Sequence, residues 1–194
     1  MNTKLKNITN ISSGQTFRKK VESDVNGQVW VIQMKDLNKS YTSIAQTPVS
    51  VNEQDISQSQ LLENGDILFL AKGNNNKAFV FQESHPAVAV SLFFIFKTDR
   101  GKLLPEYLAW FLNQKDTQNL LKSTREGSTV SSIKKVTLEN LLIPLPSIEE
   151  QEYIAKIYSL HTKEEQLGLK LAEKRNNLID TLLINRANES TSKF

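Results

Sequence analysis

Ile143-Pro144-Leu145-Pro146-Ser147-Ile148-Glu149-Glu150-Gln151, running on into Glu152-Tyr153-Ile154, decides how this chain is organised. Prolines at 144 and 146 hold the backbone extended and bar a helix before them. Ser147 and Glu150 stand at N-cap and N3 spacing, a capping box. Glu149, Glu150 and Glu152 then fill the first turn, where the helix dipole favours negative charge. The segment reads as a rigid hinge that launches a long helix from a compact domain. By itself it specifies architecture and not function, because proline-ended strands followed by capped helices are common.

Downstream, the helical pattern runs from Ile148 to about Asn185. Steps of four and three residues from Tyr153 reach Ile157, Leu160, Glu164, Leu167, Leu171, Lys174 and Leu178. That is a coiled-coil seam with polar breaks at Glu164 and Lys174. A helix of this length spans roughly 57 Å at 1.5 Å per residue, too long for its own domain to cover, so the stripe calls for another helix. Gly168 weakens it locally by about 1 kcal/mol relative to Ala. The division expected is a globular domain over 1–146, a helical spacer and dimerisation region over 147–186, and a disordered polar tail over 187–194.

The front part reads as mixed α/β (α+β), ahead of the long C-terminal helix. Val29-Trp30-Val31-Ile32, Val49-Ser50-Val51, Ile67 to Ala71 and Ala78 to Phe81 have strand composition. Val88 to Phe96 is apolar on both alternating faces, which predicts one central strand buried on both sides. Pro105 opens a helix to about Asn113 carrying Tyr107, Leu108, Phe111 and Leu112, and a second helix covers roughly 116–122. Lys72-Gly73-Asn74-Asn75-Asn76-Lys77 is a turn-rich loop, and 123–132, mostly small and polar, is an exposed one.

Composition excludes several classes. The chain has 194 residues and no cysteine, so it has no disulfide or thiolate metal site. His85 and His161, far apart in sequence, make a histidine metal site or triad improbable. No apolar run reaches the ~18 residues of a membrane span, and Met1 to Lys6 does not open a secretory signal. A soluble cytoplasmic protein is the expectation. Residues 1–146 hold 17 Lys and Arg against 13 Asp and Glu, whereas 147–194 hold seven against eight. The basic excess therefore lies in the front domain, a weak pointer to a polyanion there.

In this order the pieces resemble the specificity (S) subunit of type I restriction–modification systems. The resemblance rests on Ile143-Pro144-Leu145-Pro146 with Glu150-Gln151 and Ile154-Ala155, on Gly127-Ser128-Thr129 and on Leu138-Glu139-Asn140-Leu141. Gly65-Asp66-Ile67-Leu68 with Gly73 is similar to the family's glycine–aspartate strand. Trp30-Val31-Ile32 with Asp36-Leu37 and Tyr41, and Ile11-Ser12-Ser13-Gly14, are similar to its N-terminal region. The resemblance implies that the globular part, 1–146, is a target recognition domain, followed by a helical spacer. A full subunit carries two such units in tandem and this chain one. It implies a half-subunit that pairs with itself or with another S-type chain through Tyr153, Ile157, Leu160, Leu167, Leu171 and Leu178. It implies double-stranded DNA as ligand, and methyltransferase and restriction subunits as partners that hold the chemistry.

Phosphate contacts position a DNA reader and base-edge contacts specify the sequence. Lys72 and Lys77 suit phosphates, and Asn74, Asn75 and Asn76 suit adenine edges. Arg125 suits guanine, with Ser128 and Thr129 for phosphates. Arg18-Lys19-Lys20 and Lys134-Lys135 are further basic clusters, and Tyr41, Thr42 and Ser43 are lesser candidates that also suit the start of a strand. Each has a plain alternative as solvated surface or turn. No cofactor loop, metal motif, methyltransferase tetrapeptide or Asp/Glu-x-Lys pair is present, so a non-catalytic chain is expected. Two rivals remain: an enzyme whose Asp66, Glu83 and Asp99 converge in the fold, and a coiled-coil assembly or inhibitory protein without DNA readout.

Overall fold

The computed structural model describes residues 2–73, 76–124 and 132–191. The chain divides into two compact units, residues 1–152 and 153–194. The first begins with β1 (Asn2–Lys4), β2 (Thr9–Ser13), β3 (Val29–Ile32), β4 (Val49–Val51) and β5 (Ile67–Leu70). It continues with β6 (Ala78–Val80), β7 (Ala87–Ala89), β8 (Phe93–Thr98) and the helices α1 (Pro105–Asn113), α2 (Lys115–Ser123) and α3 (Lys135–Glu139). β9 (Leu142–Pro144) then leads into α4 (Ile148–Thr191).

Two main sheets carry the core. One is antiparallel, in the order β2-β8-β5-β6; the other is β4-β3-β7, with β3 and β7 parallel. β5 is buried at all four positions, as its unbroken apolar run requires of a central strand. Leu68, Leu70, Phe79, Phe81, Phe93 and Ile95 join Ile32 and Leu37 in one core cluster, and Val29, Val31, Val51, Ile56 and Val88 form another. Gly14 lies against the carbonyls of Ala89 and Val90, where a Cβ would collide with backbone.

The single strand expected over 88–96 is two. β7 pairs with β3, the chain turns through Val90–Leu92, and β8 pairs with β2 and β5 in the other sheet. Both pieces are buried, so the sequence is apolar throughout, and hydrophobicity does not reveal where a chain changes sheets. Helix α4 runs on through Thr191, into the segment expected to be a disordered tail, whose residues 192–194 lie outside the described ones.

At the hinge, the Glu150 N–H donates to Ser147 Oγ at 3.3 Å, one half of the expected capping box. A stronger restraint lies one residue on. Gln151 is fully buried, its Oε1 accepts the Leu104 N–H, and its Nε2 donates to the carbonyls of Lys102 and Pro146, each at 3.0 Å. Leu104 directly precedes α1, so this one amide ties the start of α1 to the start of α4. The Tyr107 hydroxyl donates to the Pro144 carbonyl at 2.8 Å, and β1 pairs antiparallel with β9 beside it. The first turn of α4 thus belongs to the first unit.

Gln151→Ala strands three backbone partners and is expected to destabilise the domain by about 2–4 kcal/mol. Ser147→Ala, which removes one long exposed bond, is expected to cost at most ~1 kcal/mol. Denaturant unfolding of the two variants checks this ranking.

Candidate nucleic-acid interface

Strand registers place the exit of β2 and the β5–β6 loop at one end of the four-stranded sheet. Ser13 faces Phe94, Leu70 faces Phe93 and Phe69 faces Ala78. The segment leaving β2 and the β5–β6 loop therefore open on the same end. The first carries Arg18-Lys19-Lys20 and the second Lys72 and Lys77. Lys72 forms an isolated bridge with Ser132, and the Ile133 N–H donates to the Ala71 carbonyl at 2.9 Å. The two loops singled out in the sequence, 72–77 and 123–132, are thus joined at their bases although about sixty residues apart in the chain.

Lys72 is exposed and Lys77 half-buried. Gly73 adopts φ +91°, a turn conformation that glycine accepts without strain. The base of this loop is braced from α1 and α2. Asn113 bonds both backbone groups of Ala78, at 2.9 and 2.8 Å, and Gln118 Nε2 donates to the Asn76 and Leu112 carbonyls at 2.6 Å. Asn76 departs from expectation. It is 1% exposed, and its Nδ2 donates to the Leu70 carbonyl at 2.8 Å, so it holds the loop closed and is not available to a base edge. Asn74, Asn75, Arg125, Ser128 and Thr129 lie outside the described residues.

Arg18, Lys19 and Lys20 are exposed on a segment anchored at both sides, since Phe17 and Val21 pack against the core cluster of the three-stranded sheet. The Gln15 N–H and carbonyl bond Ala89 and Ser91. This anchoring turns a bare charge run into a strap with its cations outward. The same segment also carries Glu22 and Asp24, the latter capping the Asn26 N–H. Lys134 and Lys135 are exposed where α3 begins, and Lys135 pairs with Glu139 at 3.5 Å. Residues 38–43 are a tight turn and not a strand: Asn38 bonds the Thr42 and Ser43 hydroxyls and the Thr42 N–H, with Tyr41 at φ 57°.

The opposite end of the sheet is electrostatically different. There Lys97 pairs with Glu63 at 2.6 Å and Asp66 at 3.7 Å, Lys102 with Asp99 at 3.3 Å, and Arg100 with Glu106 at 3.9 Å. Among the described residues, no ion pair engages Arg18, Lys19, Lys20, Lys72 or Lys77. Two of the three carboxylates weighed as an active site are engaged locally. Asp66 caps the Glu63 N–H and Asp99 caps the Gly101 N–H, and among the described residues no three acids or histidines gather to hold a metal. No described helix is long and apolar enough to cross a membrane.

Sequence reading missed the braces Asn113 and Gln118 and the anchors Phe17 and Val21. Their partners lie far along the chain, so no local pattern marks them. Asn76→Ala is expected to destabilise the fold by about 1–3 kcal/mol, whereas Lys72→Gln changes stability by less than ~0.5 kcal/mol; thermal unfolding of both separates the brace from the surface charge. Burial pushes the Asp66 carboxyl above the usual carboxylate range, against the opposing pull of the Glu63 N–H and Lys97. Its stabilising contribution is therefore complete at acid pH and lost as pH rises through that raised value. Asp66→Asn should gain stability relative to the natural chain across that window, as unfolding at a series of pH values would show.

Residues 1–177 match the family described as type I restriction modification DNA specificity domain. The chain is 28% identical over 159 residues to the type I restriction enzyme MjaIX specificity subunit of Methanocaldococcus jannaschii, covering 80% of this chain and 36% of that protein. It is 29% identical over 114 residues to the putative MjaX specificity subunit of the same organism, covering 56% and 27%. The chain thus spans about a third of the length of these curated relatives. In fold it is similar to the HsdS subunit of Thermoanaerobacter tengcongensis, with a TM-score of 0.60 at 16% identity over 84% of this chain and 37% of that one. It is also similar to the S subunit of M. genitalium, with a TM-score of 0.57 at 13% identity over 84% and 39%. This chain belongs to the type I restriction modification DNA specificity domain family.

Proposed function

We propose that this chain is the DNA-reading component of a type I restriction–modification system, itself non-catalytic, and that one chain supplies one target recognition domain. Two observations support the reading: Lys72 and Lys77 flank a braced loop whose base is joined to Ser132, and Arg18, Lys19 and Lys20 stand exposed on an anchored strap, none of the five in an ion pair among the described residues. Cations held in this way can replace the counterions of a phosphate backbone. Asn74 and Asn75, in the same loop as Lys72 and Lys77, suit base edges by residue type. Family membership supplies the class of ligand, double-stranded DNA. It also supplies the class of partner, the methyltransferase and restriction subunits that would carry out modification and cleavage.

The second reader comes from pairing through α4. Its 44 residues extend about 66 Å at 1.5 Å per residue. Tyr153, Ile157, Leu160, Leu167, Leu171 and Leu178 are each more than half exposed. Apolar side chains repeated at this spacing on an uncovered helix suit a coiled-coil partner. A two-fold dimer would select an inverted repeat, because site symmetry mirrors protein symmetry.

Site selection from random DNA by the chain with its methyltransferase is expected to enrich a bipartite inverted repeat. Replacing Arg18, Lys19 and Lys20 by Gln should weaken binding to all sequences alike and lower the salt slope by about 2–3. Sequence-blind or absent binding in the complete complex would favour an assembly or inhibitory protein instead.

A further inference from the structure

We infer that Asn26 is a modification site, where the chain converts its own asparagine to aspartate or isoaspartate through attack by the Gly27 backbone nitrogen. The sequence holds two Asn-Gly pairs, Asn26-Gly27 and Asn64-Gly65. Packing explains the first glycine. A Cβ on Gly27 would stand 2.6 Å from the Ser50 carbonyl carbon and 2.7 Å from the Val51 nitrogen, both backbone of β4. A side chain on the following residue slows attack by its nitrogen, so close contact with β4 imposes a labile pair. Asn26 is exposed, and among the described residues its side-chain amide has no hydrogen-bond partner. The Asn26 N–H donates to Asp24 Oδ1 at 2.8 Å, and the Gly27 N–H donates to the Asp24 carbonyl at 3.0 Å. Both bonds stay within one exposed turn.

In the reaction, solvent base takes the Gly27 N–H proton and the nitrogen bonds to Asn26 Cγ. The Cγ–Nδ2 bond breaks, ammonia leaves, and a five-membered succinimide remains. Water then opens the ring. Addition at Cγ gives aspartate with the original backbone; addition at the Asn26 carbonyl carbon gives isoaspartate, whose main chain runs through the side chain. No electron is transferred, and water is the only co-reactant. The second pair is held differently. The Gly65 N–H donates to the Phe81 carbonyl at 2.9 Å and the Phe81 N–H to the Asp66 carbonyl at 2.8 Å, so freeing that nitrogen opens the end of the β5–β6 ladder. Gly65 is also buried, against the Arg100 guanidinium. A turn bond opens at lower cost than a sheet end, which directs the reaction to Asn26. The product alters the strap. Between Arg18 and Asn26 three cations stand against two carboxylates, Glu22 and Asp24, and a third carboxylate at position 26 cancels that excess. Isoaspartate also lengthens the main chain where Gly27 has no room against β4. Conversion is thus a one-way attenuator of the strap, an effect that rests on the DNA role proposed above.

Incubating the full chain in warm, mildly alkaline buffer and mapping its tryptic peptides by mass tests the site. Val21–Lys35 holds Asn26 as its only asparagine, and Asn64 falls in Ser40–Lys72. Asn26 should exchange amide for acid at least about tenfold faster than Asn64 in the folded chain, and the two should react alike in urea. Equal rates in the folded chain, or no conversion at Asn26, would overturn the proposal. A difference that persists in urea would assign it to flanking sequence and overturn the role given to the fold. Asn26→Asp adds the charge without the longer main chain. It should weaken binding of the full chain to random-sequence duplex by about two- to fivefold and lower the salt slope by up to about one. Undiminished binding by that variant, with Asn26 converting as expected, would leave the modification site standing and remove the strap from DNA binding, a failure distinct from the others.

Discussion

The amide of Gln151 is the interaction on which the first unit depends. A buried primary amide is costly to desolvate, by several kcal/mol if unpartnered, and here it is satisfied by three backbone groups from two separate segments. Its position on the first turn of α4 forces that turn against the residues just before α1. The Tyr107 hydroxyl on Pro144 and the β1–β9 pairing act at the same place. The start of the chain, the start of α1, the last strand and the start of the long helix therefore meet around one polar group. The double proline fixes the direction of approach, and Gln151 fixes where it ends.

From that junction α1 runs the length of the sheet. It begins beside the segment bonded to Gln151 and ends at Asn113, which holds the first residue of β6. The hinge and the loops consequently occupy opposite ends of one rigid layer. Charge follows the same division. At the hinge end Lys97, Arg100 and Lys102 are each matched by a carboxylate. At the loop end Lys72 and Lys77 stand on braced backbone, with no ion pair to either among the described residues. A sheet end held by buried amides and a strap pinned by Phe17 and Val21 present charge in a defined geometry, which a free tail could not.

What was legible in the sequence was local. Pro105 and the stripe behind it mark α1, the heptad steps mark α4, and Lys72-Gly73 marks a turn, because each signal lies within a few residues of its effect. β1 was missed because Asn2–Lys4 is a short polar edge strand held by a partner 140 residues away. The run 88–96 misled because burial looks the same in either sheet. Asn76 was grouped with its neighbours because an Asn that braces a loop and one that faces outward are identical until Leu70 and Gln118 are placed around it. Gln151 sits in the most recognisable segment of the chain, yet its role depends on Lys102 and Leu104, which no spacing rule connects to it.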